Sequence, residues 1–220
     1  MATGLNELIK VFYANRNDAE AERMSAYMKY NFPFLGIKKP KRADLEKEFR
    51  KQFIRAEKID WNIIFDLWGL PEREFQYLAV NLLISSGKKL QKADIKKTER
   101  LIITKSWWDT VDAIAVNTAG EICRKYPDLK EDVMLKWSKS DNMWIARTAI
   151  LFQLKYKEKT DTRLLKKIIA DNTGSSEFFI NKAIGWILRQ YSKTNPEWVK
   201  EYIRQNQLHP LSVREGSKYI

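Results

Sequence analysis

Pro71-Glu72-Arg73-Glu74-Phe75-Gln76-Tyr77-Leu78-Ala79-Val80-Asn81-Leu82-Leu83-Ile84-Ser85 is the stretch on which the fold class turns. Phe75, Leu78, Leu82 and Leu83 stand at i, i+3, i+7 and i+8, which puts four apolar side chains on one face of a 3.6-residue helix. Pro71 suits the first helical position, where its missing N–H is not needed. The same three- and four-residue spacing fills most segments between the eight glycines and six prolines, and strand-like alternation is hard to find. Further helix starts are readable at Asp60, Ser106, Asp141, Asn195 with Pro196, and Ser212 with Glu215 three residues later. Short polar side chains at such places accept hydrogen bonds from the first unpaired N–H groups of a helix. The expected architecture is all-α, with about a dozen helices joined by short connections.

An internal echo turns this into a repeat architecture. Trp68, Glu72, Phe75 and Leu82 are followed by Trp137, Asp141, Trp144 and Leu151 at a constant offset of 69, and half of that is about 35. Trp144, Arg147 and Leu151 are echoed by Phe179, Lys182 and Trp186, each at an offset of 35. Units of roughly 34 to 47 residues built from helix pairs are typical of helical solenoids. TPR, HEAT and armadillo arrays all fit such units, and stacked pairs would form a curved α-solenoid with a concave basic face. No linker-like stretch divides the chain, so residues 1–220 read as a single domain.

Composition narrows the partners. The 220 residues carry 40 Lys and Arg against 28 Asp and Glu, a formal charge of +12, which favours a polyanion such as DNA or RNA over a membrane surface. The excess is spread: residues 38–58 hold nine cations against four anions, and residues 88–105 hold seven against two. That pattern suits a folded charged surface better than a disordered basic arm. One cysteine, Cys123, offers no internal disulfide, and no apolar run reaches the ~20 residues of a bilayer span. The opening Met1-Ala2-Thr3-Gly4-Leu5 does not read as a signal peptide, so a reducing, bacterial-type cytosol or nucleoid is the expected location, with the protein a monomer. A single histidine, His209, with a single cysteine argues against a His/Cys metal site or a Cys-His nucleophile. Chemistry, if present, falls to a carboxylate.

Asn31-Phe32-Pro33-Phe34-Leu35-Gly36-Ile37-Lys38-Lys39-Pro40-Lys41-Arg42 is the main irregular segment. It reads equally as a loop tucking Phe32, Phe34 and Ile37 into the core or as a wedge at a nucleic-acid surface.

Ser106-Trp107-Trp108-Asp109-Thr110-Val111-Asp112 gathers tryptophans and carboxylates at a helix start. Ser106 with Asp109 matches a capping box, a structural task for Asp109. Asp112 has no such task and shares a helix face with Trp108 at i+4, although taken alone it reads also as an ordinary solvated or paired acid. Arg147 lies on a stripe with Leu151 and Lys155 at i+4 and i+8, either edging the concave surface or serving as a solvated or ion-paired surface arginine. Lys182, Trp186 and Arg189, at i, i+4 and i+7, place an indole between two cations. Core packing accounts for a lone tryptophan, whereas an aromatic flanked by cations also holds nucleic acid by stacking and phosphate contact.

These residues carry a resemblance. Glu22-Arg23-Met24 through Phe34-Leu35-Gly36-Ile37, Glu74-Phe75-Gln76-Tyr77, Trp107 to Asp112, Asn142-Met143-Trp144-Ile145-Ala146-Arg147 and Lys182-Ala183-Ile184-Gly185-Trp186 resemble the AlkD-like alkylpurine DNA glycosylases, over nearly the whole chain. The resemblance implies a right-handed α-solenoid of HEAT-like repeats, no metal or cofactor, and removal of N3- and N7-alkylated purines from duplex DNA. By motif position it implies a catalytic carboxylate at Asp112, aromatic cleft walls at Trp108 and Trp186, and phosphate-side contact by Arg147. Lys182, Arg189 and Lys155 are the further DNA-binding candidates from the stripes above. It also implies a lesion that stays largely stacked, where most glycosylases flip the base. Two rivals remain: a non-catalytic helical-repeat protein that binds damaged or structured DNA, and a protein-binding scaffold with an incidental basic surface.

Overall fold

The computed structural model describes residues 2–220, with side chains from residue 4 onward. Among these residues it is all-helical, without a strand. Contacts gather into two compact units, Met1–Leu90 and Gln91–Ile220.

The first unit contains α1 (Ala2–Ala14), α2 (Asp18–Tyr27), α3 (Lys39–Arg55), α4 (Trp61–Gly69) and α5 (Arg73–Ser85). The α5 stripe behaves as its spacing dictates: Phe75, Leu78, Leu82 and Leu83 are fully buried, and Phe75 stacks on Phe12 at 5.4 Å between ring centroids. Truncating one of these leucines to alanine removes apolar contact and leaves a cavity, a loss of about 2–5 kcal/mol. Asp60 caps α4 as expected, its side chain accepting from the Asn62 and Ile63 amides. Pro71 does not open α5. Glu72 occupies the N-cap and Arg73 is the first helical residue.

The displacement of Pro71 follows from what Arg73 and Glu74 do. Both are fully buried, with the Arg73 guanidinium over the Phe32 ring at 3.8 Å and the Glu74 carboxylate accepting from the amides of Leu35, Gly36 and Ile37 at 2.9–3.1 Å. A buried carboxylate needs such donors, and three consecutive N–H groups of an irregular loop need an acceptor. Residues 31–38 are therefore the tucked loop, and the rest of the segment opens α3: Phe34, Leu35 and Ile37 are buried, while Phe32 is half-buried beneath Arg73. Gly36 has φ +81°, and a Cβ there would lie 2.1 Å from the Asn17 carbonyl oxygen, so only glycine serves.

The second unit runs through α6 (Asp94–Ile103), α7 (Trp108–Ile114), a π-helical turn (Ala115–Ala119), α8 (Gly120–Lys125), a second π turn (Lys130–Met134) leading into α9 (Leu135–Trp137), α10 (Met143–Leu151), α11 (Thr162–Asn172), α12 (Phe178–Ser192), α13 (Pro196–Gln205) and α14 (Pro210–Gly216). Helices α7, α10, α12 and α14 pack one on the next, with α11 against α10 and α13 against α12. Side-chain bonds follow the echo read from the sequence. Tyr126 Oη donates to Gln91 Oε1 at an interval of 35 residues, Tyr156 Oη to the Gly120 carbonyl at 36, and Asn172 Nδ2 to the Ser138 carbonyl at 34. The first unit repeats the interval, with Asn81 Nδ2 donating to Glu46 Oε1 and Lys89 Nζ to the Ile54 carbonyl, each across 35 residues.

Helix starts in the second unit correct several expectations. Asn195 caps α13, with Pro196 at its first position, as read. Asn142 rather than Asp141 caps α10, accepting from the Trp144 and Ile145 amides. Ser106 forms no capping box with Asp109: its hydroxyl donates to the Ile102 carbonyl at the end of α6, Trp107 holds the N-cap of α7, and Asp109 Oδ1 accepts from the adjacent Thr110 amide. Ser212 and Glu215 form none either, because α14 starts at Pro210 under His209 and the Ser212 hydroxyl donates to the Asn181 carbonyl.

Candidate active site

The repeat register places Asp112 on α7, Arg147 on α10 and Lys182 on α12 at successive intervals of 35 on helices that pack in that order. The first two meet. Arg147 Nε donates to Asp112 Oδ1 at 2.7 Å and Nη2 to Oδ2 at 2.8 Å, a two-pronged pair in which both side chains are largely buried. The third guanidinium nitrogen, Nη1, donates to the Phe179 carbonyl. Arg147 thus reaches α7, α10 and α12 at once, and its planar fork is what matches a carboxylate with two parallel bonds. The open-surface position expected for Arg147 gives way here: its side chain is 4% exposed and its stripe partner Leu151 is fully buried.

Below the pair lies an aromatic trio. Phe179 packs at 5.0 Å on Trp144 and 5.3 Å on Trp107, and those two indoles lie 5.8 Å apart. Rigid rings in mutual contact fix the backbone of Phe179, and hence the carbonyl that anchors Arg147. Trp107 and Trp144 are packing residues of the pair's foundation.

A cavity of about 340 Å³ opens beside the pair. Trp108, Asp112, Arg147, Phe178, Phe179, Lys182, Trp186 and Arg189 line it. The structure therefore assembles six of the seven sequence-selected residues: Asp112, Trp108, Trp186, Arg147, Lys182 and Arg189. Lys155 is not among them. Helix α10 ends at Leu151, so Lys155 lies in the turn beyond it, exposed, with Nζ donating to Asn117 Oδ1 of the π turn. Phe178, the exposed ring at the mouth, was not selected from the sequence, although its neighbour Phe179 appears there as the echo of Trp144.

The electrostatics are mixed. Burial pushes the Asp112 carboxyl above its ordinary value of 3.8, opposed by the hydrogen bonds and charge of Arg147 and aided by the nearby Asp109 carboxylate. On the facing helix, Lys182 and Arg189 both bind Glu215 of α14 at 2.9 Å, and Lys218 binds the same carboxylate. The hydrogen bonds from Lys182 and Lys218 hold Glu215 at about 2. Three cations around one anion leave this wall positive. The cavity accordingly offers one fixed carboxylate, aromatic surfaces, and a cationic flank suited to a phosphodiester.

The family described as DNA alkylation repair enzyme matches residues 8–220. A solved structure titled "Predicted DNA alkylation repair enzyme from Enterococcus faecalis" is 37% identical, superposes with a TM-score of 0.87, and spans 94% of this chain and 97% of its own. A second, smu.31 from Streptococcus mutans UA159, is 21% identical with a TM-score of 0.59 over 81% of this chain and 97% of its own, and shares the fold. No curated protein matches the chain.

Proposed function

The chain belongs to the DNA alkylation repair enzyme family, and from that premise we propose that it is a DNA glycosylase excising cationic N3- and N7-alkylated purines from duplex DNA. The observation that carries the reading is the convergence of Asp112, Trp108 and Trp186 on one cavity with Lys182 and Arg189 on its flank. Alkylation at N3 or N7 makes the purine a cation and a good leaving group. The bond between the sugar C1′ and the base nitrogen breaks with its electron pair going to the base, which leaves neutral, while positive charge develops on the sugar. Asp112 stabilises that charge and accepts a proton from the water that attacks C1′. Trp108 and Trp186 add cation–π attraction that grows as the sugar becomes positive.

In this reading Arg147 borders the DNA from inside the cavity and holds Asp112 in one orientation. Lys182 and Arg189 engage phosphates, and Lys155 contributes from the exposed turn outside. The recurring 35-residue register supports HEAT-like repeats, with residues 1–220 acting as one functional domain on DNA. We also place the protein in the cytosol as a monomer; among the described residues no helix is long and apolar enough to cross a membrane.

A second reading, a non-catalytic binder of damaged or structured DNA, is favoured by the capture of both Asp112 oxygens by Arg147. Incubation with methylated duplex DNA followed by detection of free bases separates the two. Release by the wild type and none by Asp112→Asn supports the glycosylase. Tight, salt-sensitive binding without release from either protein supports the binder.

A further inference from the structure

Glu215 stands behind the cationic wall of the cavity without lining it. It lies on α14, its side chain is 5% exposed, and Oε1 binds Lys182 Nζ at 2.9 Å while Oε2 binds Arg189 Nη1 at 2.9 Å. Lys218 Nζ takes the remaining approach, at 3.1 Å and 2.9 Å. Lys182 and Arg189 lie one turn before and one turn after Trp186 on α12, so a single carboxylate grips the helix on both sides of the indole. The close approach has a backbone cause. A Cβ at Gly185 would stand 2.5 Å from Glu215 Cβ and 3.0 Å from the Ser212 carbonyl oxygen, so the bare glycine lets α14 seat its carboxylate against α12. The Ser212 hydroxyl pins α14 to the Asn181 carbonyl at 2.9 Å.

A free lysine or arginine holds considerable rotamer entropy, and ordering two of them when DNA arrives costs binding energy. Orienting them beforehand removes that cost and fixes where a phosphate rests. We propose that Glu215 is a positioning residue, holding Lys182 and Arg189 in register around Trp186 for the phosphodiester beside the lesion. This rests on the glycosylase reading for its rate effect, but not for its effect on DNA binding. The carboxylate keeps its charge at any pH the enzyme would meet, since its partners hold it at about 2. The C-terminal helix α14 is thus part of the site although no residue of it touches the cavity.

The test uses full-length protein with Glu215→Gln, which removes the charge, and Glu215→Asp, which keeps the charge and shortens its reach. Single-turnover excision of 7-methylguanine from a saturating duplex should fall tenfold or more in both. Binding of unmodified duplex at low salt should weaken less than threefold, because both cations remain. Loss of one anion in Glu215→Gln should also steepen the dependence of log K on log salt by up to about one. A purely structural glutamate would lower the melting temperature and leave the saturating rate within twofold and the salt slope unchanged, which would overturn the proposal. Should Glu215→Gln fail to fold, Glu215→Asp carries the rate test. If the wild type releases no base, the functional reading fails, and the salt slope alone then decides for or against Glu215.

Discussion

One guanidinium, that of Arg147, takes both carboxylate oxygens of Asp112 from a position 35 residues along the chain and one helix over. The pair gives Asp112 two tasks, chemistry in the cavity and neutralisation of a buried cation, and a substitution should reveal both. Asp112→Asn keeps the shape but offers Arg147 one acceptor oxygen in place of two and no charge. Base release should fall by about two to three orders of magnitude, the scale of losing one preorganised electrostatic group. Unfolding stability should fall as well, by about 3 kcal/mol, because a buried arginine is left uncompensated. Excision assays and urea denaturation on the same preparation measure the two. A variant of wild-type stability would mean that the pair contributes nothing net to the fold.

The pH dependence of excision should carry the mark of burial. Asp112 must be ionised to stabilise a cationic sugar, so the rate falls as pH drops through its pKa. Burial raises that pKa above 3.8, and the acid limb should therefore lie at higher pH than an unperturbed aspartate would give. Replacing Arg147 by methionine removes what pulls the value down and should move the limb higher still. Single-turnover rates across pH 4 to 8 locate it, with spontaneous depurination subtracted. A limb that stays put in Arg147→Met would show that the titrating group is not the partner of Arg147.

Arg147 and the cations of α12 should separate by salt dependence. A phosphate contact releases counterions, so removing it reduces the slope of log K against log salt by about one. Lys182→Met and Arg189→Met should each do so. Arg147→Met should instead lower the melting temperature with little change in slope, since its three bonded nitrogens already face Asp112 and the Phe179 carbonyl. A reduced slope in Arg147→Met would put that guanidinium on a phosphate in the complex.

What was legible in the sequence divides along a physical line. The apolar stripe of α5, the caps Asp60 and Asn195, and the 35-residue echo are local or periodic, and the structure repeats them. The failures involve side chains with two possible partners. Ser106 and Ser212 stand where capping residues stand, but their hydroxyls serve the Ile102 and Asn181 carbonyls. Pro71 is displaced because Glu74 answers three amides of a loop nearly forty residues earlier. The Asp112–Arg147 pair was hidden for the same reason: each residue was selected, and the echo related Arg147 to Lys182, but only helix packing shows the carboxylate meeting the guanidinium.

Excision should favour cationic lesions strongly and fail on neutral bases such as hypoxanthine and uracil. A neutral base is a poor leaving group and needs a proton from a general acid as the glycosidic bond breaks. The cavity supplies none suited to neutral pH. Asp112 accepts from Arg147 at both oxygens, Lys182 and Arg189 are ion-paired with Glu215, and the other lining residues besides Arg147 are aromatic. His209, the one imidazole, caps α14 through Nδ1 and does not line the cavity. A cationic purine requires no such acid, and stabilisation of the sugar by Asp112, Trp108 and Trp186 is then sufficient. Trp108→Ala and Trp186→Ala should each slow excision partially, and part of the loss should appear as weaker binding to a cationic sugar mimic than to a neutral abasic analogue. A matched panel of duplexes carrying 7-methylguanine, 3-methyladenine, hypoxanthine and uracil, assayed under single-turnover conditions, tests the selectivity. Comparable rates on the neutral bases would require an acid within reach of the leaving base, and the mechanism built on Asp112 alone would have to be abandoned.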